Sequence, residues 1–186
     1  MRRISFNIHT RTFSPSMTPL EAMQKVQRDM DGEFLYGAVV SDDFYSPEGY
    51  SGAKPWEDCP WDEYRVRKLK DIVKDKRGTC LEYTKYAHFM LDKYGVPNKT
   101  FMVLSDDGGT SHTFVVAYDG GQAYWLESAN WKHHGIHKIN SISDVGDTLA
   151  NHYTVFEFDQ DKVADKDMGG NKYVEWITRQ KKVLRR

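Results

Sequence analysis

Arg77-Gly78-Thr79-Cys80-Leu81-Glu82-Tyr83 marks the start of a helix and puts a cysteine in its first turn. Gly78 interrupts the preceding segment, Thr79 is a residue type that caps helices, and neither Gly nor Pro follows until Gly95. Apolar and aromatic residues then recur at the spacing of one helical face. This face comprises Tyr83, Ala87, Met90, Leu91 and Tyr94. Cys80 is therefore predicted to point toward whatever the helix packs on.

The first turn of a helix favours the reactive form of a cysteine. Orphan backbone N–H groups and the positive end of the helix dipole stabilise a thiolate, which is the nucleophilic form. Most free cysteines, however, are small buried hydrophobic residues. The sequence at Cys80 alone thus leaves both a structural and a reactive cysteine open.

The residues downstream predict a β-hairpin that carries partners for a thiol. Strands are predicted at residues 101–104, 112–118 and 123–128, with a polar loop at 105–111 and the turn Asp119-Gly120-Gly121-Gln122. If the two glycines form the loop, Asp119 pairs with Gln122. His112 and Glu127 then lie on one face as diagonal neighbours, within reach of an imidazole to carboxylate hydrogen bond. An orienting carboxylate is thus available to the histidine.

These segments resemble the transglutaminase-like superfamily of papain-like thiol enzymes over about residues 65–130. The resemblance rests on Gly78-Thr79-Cys80, Tyr94-Gly95-Val96-Pro97, His112-Thr113-Phe114-Val115-Val116 and Trp125-Leu126-Glu127-Ser128. It implies that Cys80 is the nucleophile, His112 the base and Glu127 the residue that orients the base. The chain departs from the family in two ways. The family usually has Asp where this chain has Glu127, and it commonly has a Pro shortly afterwards, where this chain has Ser128-Ala129. Asn130 is the alternative orienting residue, since papain-like enzymes can use an amide.

The expected chemistry is cysteine-dependent acyl transfer from an amide, without a cofactor. His112 would take the thiol proton or pair with a preformed thiolate, Cys80 would attack the carbonyl, and water or an amine would resolve the thioester. The backbone N–H of Cys80 is one expected oxyanion donor. Trp56 and Trp61 are candidates for the second by their position upstream of Cys80, but packing outside the site is the favoured role for both.

Hydrolysis of a peptide or isopeptide-like bond in a peptide or protein substrate is the favoured function. One alternative is a protein-glutamine transferase (transglutaminase), for which the aromatic residues of 37–61 with Trp125 and Trp131 could form an amine channel. A second alternative is a catalytically inactive binding domain of the same fold.

A histidine cluster offers a different class of site. Lys132-His133-His134-Gly135-Ile136-His137, with His152 further on, could supply imidazoles to zinc. Gly135 interrupts the helical pairing of His133 with His137, although such a pair on a strand would share a face. A metal-dependent hydrolase therefore stays open, but surface histidines at the rim of the cleft are favoured and no metal is expected.

The architecture predicted is a single α+β domain over residues 1–186 with a papain-like core at about 65–158. In it the nucleophile helix packs on an antiparallel sheet of about five strands, the last being Tyr153 to Phe158. A capping box at Thr18 to Glu21 begins a helix that Gly32 can end, and a further helix is predicted from about Asp62 to Lys76.

Two peripheral segments carry separate predictions. Residues 37–61 are aromatic and rich in turn-forming residues, so they are expected to be an irregular lid or wall of the cleft. Residues 171–186 are predicted to be a terminal amphipathic helix whose basic face could bind a protein partner.

Composition and charge argue against a nucleic-acid-binding, membrane-spanning or disulfide-rich secreted protein. A net charge of -1 gives no overall attraction to nucleic acid or to anionic lipid, and no apolar run is long enough to cross a membrane. Basic residues in Met1 to Ser5 are not followed by an apolar segment, and Cys59 and Cys80 are too few for a disulfide framework. A cytoplasmic protein is therefore expected.

Overall fold

The computed structural model describes residues 17–163, 166 and 168–186; the basic segment Met1 to Ser5 lies outside them. The helices are α1 (Pro19–Glu33), α2 (Leu69–Asp75), α3 (Cys80–Lys93), α4 (Ile142–Leu149) and α5 (Gly170–Thr178). The first strands are β1 (Leu35–Tyr36), β2 (Ala38–Val40), β3 (Asp43–Ser46), β4 (Lys54–Pro55), β5 (Arg65–Val66) and β6 (Arg77–Gly78). The later strands are β7 (Asn98–Ser105), β8 (Ser111–Asp119), β9 (Gln122–Glu127), β10 (Gly135–Ile139), β11 (Tyr153–Phe158), β12 (Met168–Gly169) and β13 (Lys181–Arg185).

The centre of the molecule is a six-stranded antiparallel sheet with the order β10-β9-β8-β7-β11-β13. Short pairings join β1 to β6, β5 to β12, and β2 to β3 and β4. The α+β class is confirmed. The expected number of about five strands is one too low, because β13 adds to the sheet beyond β11.

Helices cover both faces of this sheet. Val115 and Ala117 of β8 share a buried cluster with residues of α1 and α3, such as Val26 and Leu91. The alternate residue Val116 shares a second cluster with Val145 of α4. A third cluster is built around Tyr173 and Ile177 of α5. The helix that begins at Cys80, α3, thus packs on β7 and β8 of the antiparallel sheet, as predicted.

Local sequence sets where α3 begins. The Thr79 hydroxyl accepts a hydrogen bond from the Leu81 N–H at 3.3 Å, and the Glu82 carboxylate accepts from the Thr79 N–H at 2.9 Å. A Cβ at position 78 would lie 2.2 Å from the Glu82 Cβ. Only glycine therefore fits before this capping box, which fixes Cys80 as the first helical residue.

Glu82 is fully buried, and three parts of the chain converge on its carboxylate. Besides Thr79, it accepts a hydrogen bond from the Tyr64 hydroxyl at 2.8 Å and from the Arg67 N–H at 3.1 Å. We expect Glu82→Ala to lower the free energy of unfolding by about 3–5 kcal/mol, since several buried donors lose their acceptor. Urea unfolding of both proteins would measure the loss.

Glu21 provides the matched control, because it closes the capping box of α1 in an exposed position. Glu21→Ala is expected to cost much less than Glu82→Ala. Similar losses for the two variants would contradict the role given to burial.

The C-terminal prediction is wrong, because residues 171–186 do not form one helix. The helix ends at Thr178, and β13 pairs with the free edge of β11. There Val183 and Leu184 pack on the core, and Lys181 lies 3.3 Å from Glu157. Tertiary pairing with an open strand edge thus overrides a weak helical pattern, so the basic helix expected to bind a partner is not formed.

Two other segment predictions also need correction. Residues 37–61 are not irregular, because β2, β3 and β4 form a small sheet followed by a 3-10 turn at Trp56–Asp58. Strands of two to four residues are too short to show a periodicity. The predicted helix from Asp62 to Lys76 is only α2, since β5 pairs with β12 upstream of it. None of the described helices has the length and apolar character needed to cross a membrane.

Candidate active site

Cys80 is half-buried at the first position of α3. The parallel pairing of β1 with β6 brings Tyr36 opposite Gly78, next to the cysteine in space. The start of α3 thus lies beside β1, and Leu104 of β7 and Ser111 of β8 lie near the same thiol.

The β8–β9 hairpin brings His112 and Glu127 together. Gly120 and Gly121 have φ of 55° and 89°, values that favour glycine, and Asp119 pairs with Gln122 as predicted. The His112 Nε2 and Glu127 Oε2 atoms are 2.6 Å apart. Both residues are buried, with 8% and 2% of their surface exposed. The predicted imidazole to carboxylate contact is therefore present.

The Glu127 carboxylate is held from its other side by the backbone. Its Oε1 accepts hydrogen bonds from the N–H groups of Ala129 and Asn130, both at 2.8 Å. The Asn130 side chain instead accepts from the Lys132 N–H and caps the 3-10 turn Trp131–His133. The structure thus places the Glu127 carboxylate, and not the Asn130 amide, against His112.

The electrostatics of Cys80 and His112 favour charge on both. Burial opposes ionisation of the Cys80 thiol, but the hydrogen bond and charge of His112, with hydrogen bonds to Thr113, place its pKa below the ordinary value. Burial likewise opposes the imidazolium, but the Glu127 carboxylate and Cys80 raise the pKa of His112 to about 10. The thiolate and the imidazolium thus stabilise each other. By contrast, burial raises the pKa of the Cys59 thiol.

An aromatic cleft of about 440 Å³ opens beside Cys80. Tyr36, Trp56, Trp61 and Tyr64 form a chain of rings whose successive centroids are 6.0, 4.5 and 5.7 Å apart. Trp56 and Trp61, for which packing is the favoured role, pack against neighbouring rings and also line this cleft. Tyr36 was missed, since only the long-range β1–β6 pairing brings it to the thiol.

Two tryptophans predicted for an amine channel lie elsewhere. Trp125 is 3% exposed and packs within the core of the sheet, whereas Trp131 is 74% exposed. Neither lines the cleft beside Cys80. The aromatic lining thus comes from residues 36–64 without any contribution from the β9–β10 region.

The clustered histidines contact other parts of the protein and do not line the cleft. His137 Nε2 lies 2.6 Å from the His133 carbonyl oxygen, and His134 Nε2 lies 2.6 Å from Asp31 Oδ1. The rings of His133 and His137 lie beside Trp125. These histidines therefore serve packing and hydrogen bonding in this structure, and none lines the rim of the cleft.

A separate group of metal-capable side chains was not predicted. Within the described part of the chain, His88, Asp92 and Asp161 place potential ligand atoms within 4.8 Å of one another. His88 lies two turns along α3 from Cys80, at a distance of ~12 Å along the helix axis. This group includes none of the clustered histidines.

Comparison with known proteins assigns no family. No family model matches the chain, and no curated protein matches it. It is similar to a crystal structure named "putative protease" from Parabacteroides distasonis, with a TM-score of 0.45 and 15% identity. The similarity covers 83% of this chain and 25% of that one, so this chain spans a quarter of that structure's length. A likeness at this level transfers neither a fold family nor an activity.

Proposed function

We propose that this protein is a thiol hydrolase that cleaves an amide bond, with a papain-like arrangement of nucleophile, base and orienting carboxylate. One observation carries the proposal: His112 contacts the Glu127 carboxylate at 2.6 Å, and the same imidazole lies close enough to Cys80 to lower the pKa of its thiol. A buried histidine held between a carboxylate and a helix-start thiol is the arrangement that activates a nucleophile.

The reaction begins with the thiolate. Because Glu127 engages Nε2 of His112, Nδ1 is the nitrogen left to pair with the thiol. The Cys80 Sγ attacks the amide carbonyl, and the imidazolium gives its proton to the departing amine, which leaves a thioester. His112 then takes a proton from water, which attacks the thioester and releases the acid.

The negative charge that develops on the carbonyl oxygen during the attack must be stabilised by hydrogen-bond donors. The backbone N–H of Cys80 is at a helix position without an intrahelical acceptor, and such a donor contributes about 3–4 kcal/mol to lowering a hydrolase barrier. The Tyr36 hydroxyl, which lines the same cleft, is the second donor in this proposal. Burial, and then negative charge on Cys80, raise the pKa of Tyr36, so the hydroxyl keeps its proton.

Alkylation rates test whether Cys80 is activated. With iodoacetamide at pH 7, we expect Cys80 to react at least ~10-fold faster than Cys59, since its thiolate is stabilised. Peptide mass spectrometry of the full chain would give both rates.

Exposure alone could separate the two cysteines, because Cys59 is buried and Cys80 is half-buried. The deciding measurement is His112→Ala, which should slow labelling of Cys80 and leave Cys59 unchanged. Equal rates at both cysteines in the wild type, or no effect of His112→Ala, would refute the proposed activation.

A further inference from the structure

We infer that the cleft beside Cys80 is a subsite for an uncharged apolar group of the substrate, aromatic or branched aliphatic in character. This inference rests on the proposed function, because the thiol that is proposed to attack the carbonyl belongs to Cys80, one of the residues lining the cleft. The inference extends the proposed function by naming the chemical class of the substituent next to that carbonyl.

The first observation is the lack of charge. Among the residues that the structure describes, none of those lining this cleft is Asp, Glu, Lys, Arg or His. Charged residues (Asp, Glu, Lys and Arg) make up 28% of the whole chain, so their absence from the cleft lining is a local property. A charged substituent would lose its hydration there without gaining an ionic partner, which is costly.

The second observation is the shape of the walls. Trp56 and Trp61 meet edge to face, and Leu104 and Val174 add aliphatic surface to the aromatic chain. The volume of about 440 Å³ lies in the usual range of small-ligand pockets, about 300–1,000 Å³.

The cleft also contains a small number of uncharged polar groups. Thr79, Ser111 and Asn171 are the neutral polar residues there besides the tyrosines and Cys80. Pockets that orient a ligand commonly combine apolar walls with a small number of such groups. Thr79 is already hydrogen bonded within the cap of α3, whereas Ser111 and Asn171 can hydrogen bond the substrate's amide groups while the rings hold its apolar substituent.

Chloroacetamides that differ only in their N-substituent provide the test. The full-length protein is treated with N-benzyl, N-isobutyl, N-carboxyethyl and N-aminoethyl chloroacetamide, and intact-mass spectrometry gives the rate of Cys80 alkylation. Each rate is divided by that with glutathione to remove intrinsic reactivity. The benzyl and isobutyl probes are expected to react about 100-fold faster than the charged ones.

Variants identify the cleft as the source of the preference. Trp56→Ala should reduce the advantage of the benzyl probe, whereas Trp131→Ala, which removes an exposed ring outside the cleft, should not. Val174→Lys adds one positive charge to the wall and should speed alkylation by the carboxyethyl probe.

The outcomes separate this inference from the proposed function. Equal normalised rates for apolar and charged probes, with Cys80 still faster than Cys59, would overturn the apolar subsite and leave the thiol hydrolase standing. A Cys80 that reacts no faster than Cys59 with any probe would overturn both. An unchanged probe preference in Val174→Lys and Trp56→Ala would show that the selectivity arises outside this cleft.

Discussion

Cys80→Ala is expected to abolish amide hydrolysis while the protein stays folded. Loss of the nucleophile in a hydrolase of this mechanistic kind lowers kcat by about 10⁵- to 10⁶-fold, since no other group forms the covalent intermediate. The assay uses the full chain and a peptide anilide whose acyl residue is phenylalanine, with free acid and thioester followed by mass spectrometry. Cys80 is half-buried and small, so urea unfolding should show little change in stability.

Cys59→Ala is the control, because Cys59 is the other cysteine and does not line the cleft. It should keep its activity. Hydrolysis that survives in Cys80→Ala would rule out the thiol mechanism. If replacing His88 then removed the remaining hydrolysis, the active site would be the group formed by His88, Asp92 and Asp161.

Glu127→Gln is expected to lower activity and to shift its pH dependence. In the proposed mechanism, activity rises with pH as Cys80 loses its proton, and falls as the His112 imidazolium loses its proton near pH 10. The carboxylate of Glu127 raises the pKa of His112, so its neutral amide replacement should move the falling limb to lower pH, by about 1–3 units. Profiles of kcat/KM for both proteins would measure the shift.

The loss of rate in Glu127→Gln should be smaller than that in Cys80→Ala, on the order of 10²- to 10⁴-fold, because the carboxylate orients the imidazole and does not react. Asn130→Ala is the matched comparison, since that side chain caps the turn Trp131–His133 and does not contact the imidazole. A falling limb that stays in place in Glu127→Gln, together with a shift in Asn130→Ala, would transfer the orienting role to Asn130.

Predictions from local sequence succeeded where neighbouring residues set the geometry. The capping box at Thr79 and Glu82 fixes the first residue of α3, and the Gly120–Gly121 turn fixes the register of β8 and β9. Because strand side chains alternate with period 2, that register places His112 and Glu127 on one face of the hairpin. The three residues expected to form the site therefore came from short-range rules and from the resemblance to thiol enzymes.

Predictions failed where distant contacts decide. Residues 181–185 became a strand because β11 offered an unpaired edge, which no helical periodicity within the segment can reveal. Trp56 and Trp61 were assigned to packing, yet the folding of the segment between α1 and α2 brings them to the thiol. Tyr36 carries no local signal at all, since its position depends on pairing between β1 and β6.

The sequence by itself determined the helix start and the hairpin register, because each depends on backbone geometry within a few residues, and it determined the α+β class through the pattern of helices and strands along the chain. Only the tertiary structure decided the walls of the cleft, the sixth strand and the choice of Glu127 over Asn130 as the partner of His112. These depend on which surfaces meet after the chain has closed long loops. That outcome is set by burial of apolar area over the whole molecule and not by the propensity of any one segment.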